Sequence, residues 1–498
     1  MTTSVGGRQR GENSWAVQGR GGGGLIVLPL LACVACAACA TRESTPRTFA
    51  TFFDELNADT ARARDEIPTP PLMDLDVAPS AGATATDANV PARTRLTLAD
   101  AVAECLAADP RIRGGATVFQ QARSDLWTAS LLPNPTLGTG GSLLPLGQPF
   151  NVEHQGGPPQ FDVGLAFPID WLLFGKRAAA IDTAQAGVDV AAAEFANLVR
   201  ERLAATVAAF YTVLEAKALL DLARQDLESF TRLQQITADL VRYGGAGTIE
   251  NDRVQVSLLD SQREVRRREA DLAVAKAALL SQLGRHTSEA AFDIDGQLDV
   301  PGPVPPLSAE RAFQLARQYR PDVVAAQLRV EHAAREAHKA ETEAFPDVTP
   351  HFGYTRQFQS KSIGFPDVNA FGVGVDLSLP VFDRNQGNIE KAQFALAQAH
   401  SGLRTQLVDV RAEIEEASRN YRFAYDAVTA DAPRRIEAAR NARDKIEAAY
   451  RVGGRPLIDV LDAQRAFRDT QRLDVEDRAA YWQSLYRLNA AVGKEVLH

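Results

Sequence analysis

Leu203-Ala204-Ala205-Thr206-Val207-Ala208-Ala209-Phe210-Tyr211-Thr212-Val213-Leu214 sits inside a stretch, Lys176 to Tyr243, that has no proline and one glycine, Gly187. Its apolar residues Leu203, Val207, Phe210 and Leu214 step by four, three and four, and Leu220, Leu227, Phe230, Leu233 and Leu240 continue in sevens and threes. That is the period of one helix face. At 1.5 Å per residue the stretch predicts a single helix of roughly 100 Å. No compact globular domain holds such a helix; it belongs to a coiled coil or a helical tube. Gly244-Gly245-Ala246-Gly247 then predicts a tight turn, and the chain returns as a second helix from Ile249 to about Leu283.

The same order occurs twice. Leu96-Thr97-Leu98-Ala99-Asp100-Ala101 leads to Asp109-Pro110, and Leu307-Ser308-Ala309-Glu310-Arg311-Ala312 leads to Arg320-Pro321. Gly244-Gly245 returns as Gly453-Gly454. A repeat this long is a duplicated half-protein, not a solenoid unit. The halves divide as 96–300 and 301–498. In the second, helices lie within 308–344 with a break near Pro321. A long helix is expected from about Asn388 to Arg451, and its return from about Leu457 to Val492. In the first half, helices are expected from Thr97 and through Val118 to about Leu131, stopped by Pro133 and Pro135.

Each half also carries two short segments of another kind. Thr136–Leu144 and Phe161–Ile169 in the first half, and about Val348–Gln357 and Ala370–Leu379 in the second, contain glycine and alternate. Phe371, Val373, Val375, Leu377 and Leu379 lie on one face of the last, with Gly372, Gly374, Asp376 and Ser378 on the other. That is a strand period. Four strands cannot close a membrane barrel, whose smallest form has eight. Open edges are not tolerated in lipid. If the strands span a membrane, several chains must share one barrel; three would supply twelve strands.

The 498 residues are 45% hydrophobic and 23% charged, with a formal net charge of −9, which argues against nucleic-acid binding. Three of four cysteines cluster at Cys33, Cys36 and Cys39, after an arginine-containing start and the apolar run Leu25 to Ala32. That run is short and interrupted by Pro29, so it reads as a signal peptide over 1–32, not a membrane span. Leu30-Leu31-Ala32-Cys33 resembles the bacterial lipobox, which implies cleavage before Cys33 and its lipidation; an unlipidated signal peptide is the alternative. Residues 33–95, rich in Pro, Thr, Ala and Asp, read as an anchor and irregular leader. No catalytic constellation is present. His332 and His338, six apart, fall on different helix faces. No enzyme, cofactor or metal site is expected.

At this level the chain resembles the outer-membrane efflux protein family, the TolC-like channels, over about residues 96–493. The resemblance is carried by Leu96 to Arg111, by Leu131-Leu132-Pro133-Asn134-Pro135-Thr136-Leu137, and by Tyr450-Arg451-Val452-Gly453-Gly454-Arg455-Pro456-Leu457-Ile458-Asp459-Val460-Leu461-Asp462-Ala463. Leu379 to Asn388 is similar to the CzcC-like heavy-metal branch. The resemblance implies a mainly α chain whose long hairpins form an α-barrel, with four transmembrane strands per chain in a shared twelve-stranded barrel. It implies a homotrimer in a Gram-negative outer membrane, extending into the periplasm. It also implies a periplasmic adaptor and an inner-membrane RND-type pump, with heavy-metal cations as cargo. Organic compounds are the alternative cargo, and a lipid-anchored coiled-coil scaffold is the reading of another class.

Asp459 and Asp462 are three apart on one helix face, after Pro456. By position alone they complement a helix N-terminus, for about 0.3–1 kcal/mol each. The resemblance implies more: they ring a closed periplasmic aperture, where crowded carboxylates from three chains repel anions and concentrate cations. Tyr450 and Arg455 match positions that tie neighbouring hairpins in the closed state, with Glu250 as partner acid. The first-half equivalent of Asp462 is Arg253, so the acidic ring comes from the second hairpin alone. Gly244, Gly245, Gly453 and Gly454 allow the turns and leave bare tips for an adaptor.

Overall fold

The computed structural model describes residues 95–144, 146–151, 153, 156–285, 292–300 and 302–497. The signal segment, Cys33, Cys36, Cys39 and residues 33–94 of the leader lie outside the described residues.

The first half opens with a two-residue strand β1 (Arg95–Leu96), then α1 (Leu98–Ala108) and α2 (Pro110–Ser130). Thr97 caps α1 through a reciprocal capping box with Asp100, and Asp109 caps α2 ahead of Pro110. Strands β2 (Thr136–Ser142) and β3 (Gln160–Ala166) follow, then a single turn α3 (Asp170–Leu173). Helix α4 (Lys176–Arg242) runs 67 residues without a break and returns as α5 (Thr248–Gln282). Strand β4 (Asp293–Ile294) pairs in parallel with β1. The leader expected to be irregular through 95 is therefore already tied down at Arg95.

The second half repeats this as α6 (Ala309–Tyr319), α7 (Pro321–Thr342), β5 (Val348–Gln357), a turn α8 (Gln359–Ser362) and β6 (Val368–Leu377). Its long helix differs from expectation. Helix α9 (Gln386–Asp426) passes through a π-helical turn, Ala427–Asp431, before α10 (Ala432–Arg451). Pro433 explains the break, because it lacks an N–H and its ring clashes with the carbonyl four residues back. The chain returns as α11 (Leu457–Val492).

Two cores hold the halves. The first packs Ala101, Cys105 and Ile112 against Phe210, Leu214, Leu279 and Leu283. The second packs Ala312, Ala316 and Val323 against Ile414, Tyr421, Leu488 and Val492. Tyr211 of α4 stacks on Trp482 of α11 at 5.8 Å, joining them. Buried arginines lock the broken helix pairs. Arg202 donates to Asp109 at 2.6 Å, and Arg320 donates to Asp322 and, at 2.9 Å, to the Ala491 carbonyl near the end of α11. Such paired charges are costly to break, about 3–5 kcal/mol when one partner is removed.

The four longer strands form one antiparallel sheet in the order β2-β3-β5-β6. The register puts Leu137, Phe161, Leu165, Phe352, Phe371, Val373 and Val375 on one face, all exposed in the single chain. The other face carries Gly138, Gly140, Asp162, Gly164, His351, Gly353, Thr355, Gly372, Gly374 and Asp376. An apolar face open to its surroundings is the reverse of a water-soluble sheet. Among the described residues β2 and β6 each keep one edge without a partner strand.

Candidate functional site

The two hairpin turns are built alike. Helix α4 is capped by Tyr243, Gly244 takes φ +79°, and the Gly245 N–H donates to the Leu240 carbonyl at 2.8 Å. Helix α10 is capped by Val452, Gly453 takes φ +74°, and the Gly454 N–H donates to the Ala449 carbonyl at 2.8 Å. This is the Schellman ending, whose left-handed residue favours glycine. The Glu250 N–H donates to the Gly247 carbonyl, and the Asp459 N–H to that of Pro456. Glu250 and Asp459 thus hold equivalent places in the first turns of α5 and α11.

The turns lie together because the hairpins pack near their ends. Phe230, Leu233, Val254 and Leu258 of the first meet Tyr450, Leu457 and Val460 of the second. Tyr450 is buried there, its hydroxyl 3.3 Å from that of Thr237. Burial pushes the Tyr450 phenol up, the Thr237 hydrogen bond draws it down, and the nearby Glu250 carboxylate pushes it up again. The structure therefore brings Tyr450 and Glu250 into one neighbourhood.

Arg455 is placed differently. It donates to Asp459 of its own chain at 3.3 Å, and within the chain no contact joins it to Glu250 among the described residues. Asp462 lies 3.9 Å from Arg465, with both side chains about two-thirds exposed (66% and 68%). Exposed pairs of this kind contribute about 0–1 kcal/mol, so these acids are free to exchange partners. Arg253 is exposed, as is fitting beside a turn. Thr237 was not singled out from sequence; its signal was a polar residue within the apolar period of Phe230, Leu233 and Leu240.

Two helical hairpins continuing from an antiparallel sheet with an apolar outer face and open edges define a membrane-channel subunit. A family model described as outer membrane efflux protein matches residues 101–285 and 312–494. The chain belongs to that family, whose members are channels and not enzymes. It is 23% identical over 370 residues to the cobalt-zinc-cadmium resistance protein CzcC of Cupriavidus metallidurans, covering 74% of this chain and 83% of that one. It is 26% identical over 406 residues to protein CyaE of Bordetella pertussis, covering 77% and 78%. The fold is similar to that of the outer-membrane channel OprN, with a TM-score of 0.67 and 20% identity over 80% of this chain and 90% of that one. It is also similar to CusC, with a TM-score of 0.66 and 18% identity over 80% and 92%. Family membership sets aside the coiled-coil scaffold, which has no use for the sheet.

Proposed function

We propose that three copies of this chain form the outer-membrane duct of a tripartite efflux system, passive itself and driven by an inner-membrane RND-type pump through a periplasmic adaptor. The observation that carries this reading is the sheet: one apolar face, one glycine-rich polar face and two open edges. Lipid leaves no backbone edge unpaired, so β6 of one copy must pair with β2 of the next until the ring closes. The alternation of strand direction permits this with all neighbours antiparallel. Three copies give twelve strands, an even number as such barrels require. The helical hairpins then continue as a tunnel across the periplasm. Cys33 is the proposed lipid anchor in this membrane.

The tunnel's periplasmic end is the proposed gate. Asp459 and Asp462 of three copies ring the aperture and favour cations over anions. Tyr450, Arg455 and Glu250 hold the closed state, Arg455 exchanging its own Asp459 for the Glu250 of a neighbouring copy. Gly244, Gly245, Gly453 and Gly454 form the flat tips that an adaptor meets. Opening is a shift between two states of the second hairpin as adaptor contacts replace the tethers.

Heavy-metal cations are the proposed cargo, on the similarity to a cobalt-zinc-cadmium resistance protein and on the Leu379 to Asn388 stretch. A strain lacking this gene should lose tolerance to cobalt, zinc, cadmium or copper. Unchanged metal tolerance beside lost tolerance to a drug panel would select the organic-compound alternative.

A further inference from the structure

The glycine-rich face of the sheet carries one imidazole, and its setting is specific. His351 of β5 pairs in register with Gly374 of β6. A Cβ built on Gly374 would stand 2.4 Å from His351 Nε2 and 2.5 Å from Cε1. The ring edge therefore occupies the space that a side chain at 374 would fill, on the face away from the apolar residues. His351 Nδ1 is buried and lacks an aligned hydrogen-bond partner, which is rare for a buried polar atom. It lies 3.3 Å from Asp376 Oδ2, the carboxylate two residues along β6. The side chain of His351 is 41% exposed and that of Asp376 78%.

We propose that His351 and Asp376 form a weak contact site for a borderline divalent cation such as Zn2+ on the inner wall of the barrel. The inference rests on the reading of the glycine-rich face as the lumen, and not on the identity of the exported cargo. Imidazole nitrogen is a donor that such cations take. A carboxylate beside one ring nitrogen orients the other toward a metal, the usual support of a histidine ligand. Here Nδ1 faces Asp376 and Nε2 stands in the space above Gly374. With Nε2 as the protein donor and Asp376 supporting the ring from behind, the remaining positions go to water, so the site is weak. A conduction path needs contacts of that strength, favourable enough to enter and weak enough to leave. Flanking lumen positions are small, namely Gly353 and Gly372, and the next carboxylate, Asp162, is already engaged by the Thr355 hydroxyl at 2.6 Å.

The test uses the full-length trimer in planar bilayers, with Zn2+ and Mg2+ as probes. Zn2+ should reduce the current well below the level reached with equal Mg2+. His351→Ala should remove the difference between the two ions. Gly374→Ala, which displaces the ring while keeping the histidine, should do the same. Asp376→Asn should weaken the Zn2+ response about tenfold. Equal Zn2+ responses in the parent and His351→Ala overturn the site. Thr355→Cys, modified by a charged water-soluble thiol reagent, should change the conductance relative to the treated parent. No change there would overturn the lumen reading and the site with it. A change there with no effect of His351→Ala rejects the site alone.

Discussion

The hydroxyls of Tyr450 and Thr237 meet at 3.3 Å in a buried pocket, joining the second hairpin to the first close to both turns. Thr237 is fully buried, so its hydroxyl depends on that of Tyr450. Tyr450→Phe should strand the Thr237 hydroxyl and destabilise the hairpin ends by about 1–2 kcal/mol. Tyr450→Phe with Thr237→Val, which removes both polar groups, should recover much of that loss. Hydrogen exchange of amides near 237 and 450 reads both effects, faster in the single variant than in the double. Equal exchange in the single variant and the parent would remove this contact from the account.

The turn glycines separate backbone conformation from space. Gly244 has φ +79° and nothing within 4 Å of an added Cβ. Gly244→Ala should therefore cost about 1–2 kcal/mol through backbone strain alone. Gly245 lies outside the left-handed region, with its nearest atom at 3.5 Å. Gly245→Ala should be nearly neutral. Thermal unfolding of the two variants checks the contrast, and equal melting temperatures would contradict it.

Asp226 on α4 gives the bundle a pH dependence. Burial pushes its carboxyl up to about 6, with Asp469 and Glu264 adding to the rise and Arg468 opposing it. Its ordinary value is 3.8. The folded state holds the proton more tightly, so the contribution to stability is full below the ordinary value and is lost as pH rises through about 6. Asp226→Asn should stabilise the fold at pH 8 by about 1 kcal/mol, read as a higher melting temperature, and leave the melting temperature unchanged near pH 3.5. The same gain at both pH values would show that the charge is not the cause.

At the proposed aperture, Asp459→Ala with Asp462→Ala should raise conductance in a planar bilayer and reduce cation selectivity. Both residues are exposed or half-exposed, and among the described residues their side chains pair with arginines of their own chain, Arg455 in the turn before α11 and Arg465 within it. The folded hairpin should therefore persist, and circular dichroism should be unchanged. Unaltered conductance and selectivity would reject the aperture assignment.

The hairpins were legible in the sequence because their signals are local. Apolar spacing fixed α4, and Gly244 and Gly453 stop helices by a conformation other residues avoid. The strands were legible in kind but not in their ends. Val368–Leu377 lies two residues earlier than the alternation suggested, because the register depends on β5 and not on β6 alone. The π-turn before Pro433 was missed, although the proline was visible, because the surrounding apolar period continued through it. The pairs Tyr450–Thr237 and Arg202–Asp109 join residues 213 and 93 apart in sequence, and no periodicity reports such contacts. His351 over Gly374 is of the same kind: only the register aligns them.

In the proposed duct β6 of one copy pairs with β2 of the next, and three copies close the ring. Thr139→Cys on β2, combined in turn with Phe371→Cys, Val373→Cys or Val375→Cys on β6, places both thiols on the apolar face. Oxidised in native outer membranes, at least one pair should yield a covalent ladder that stops at three chains. Monomers alone for every pair, or a ladder running past three, would contradict the account.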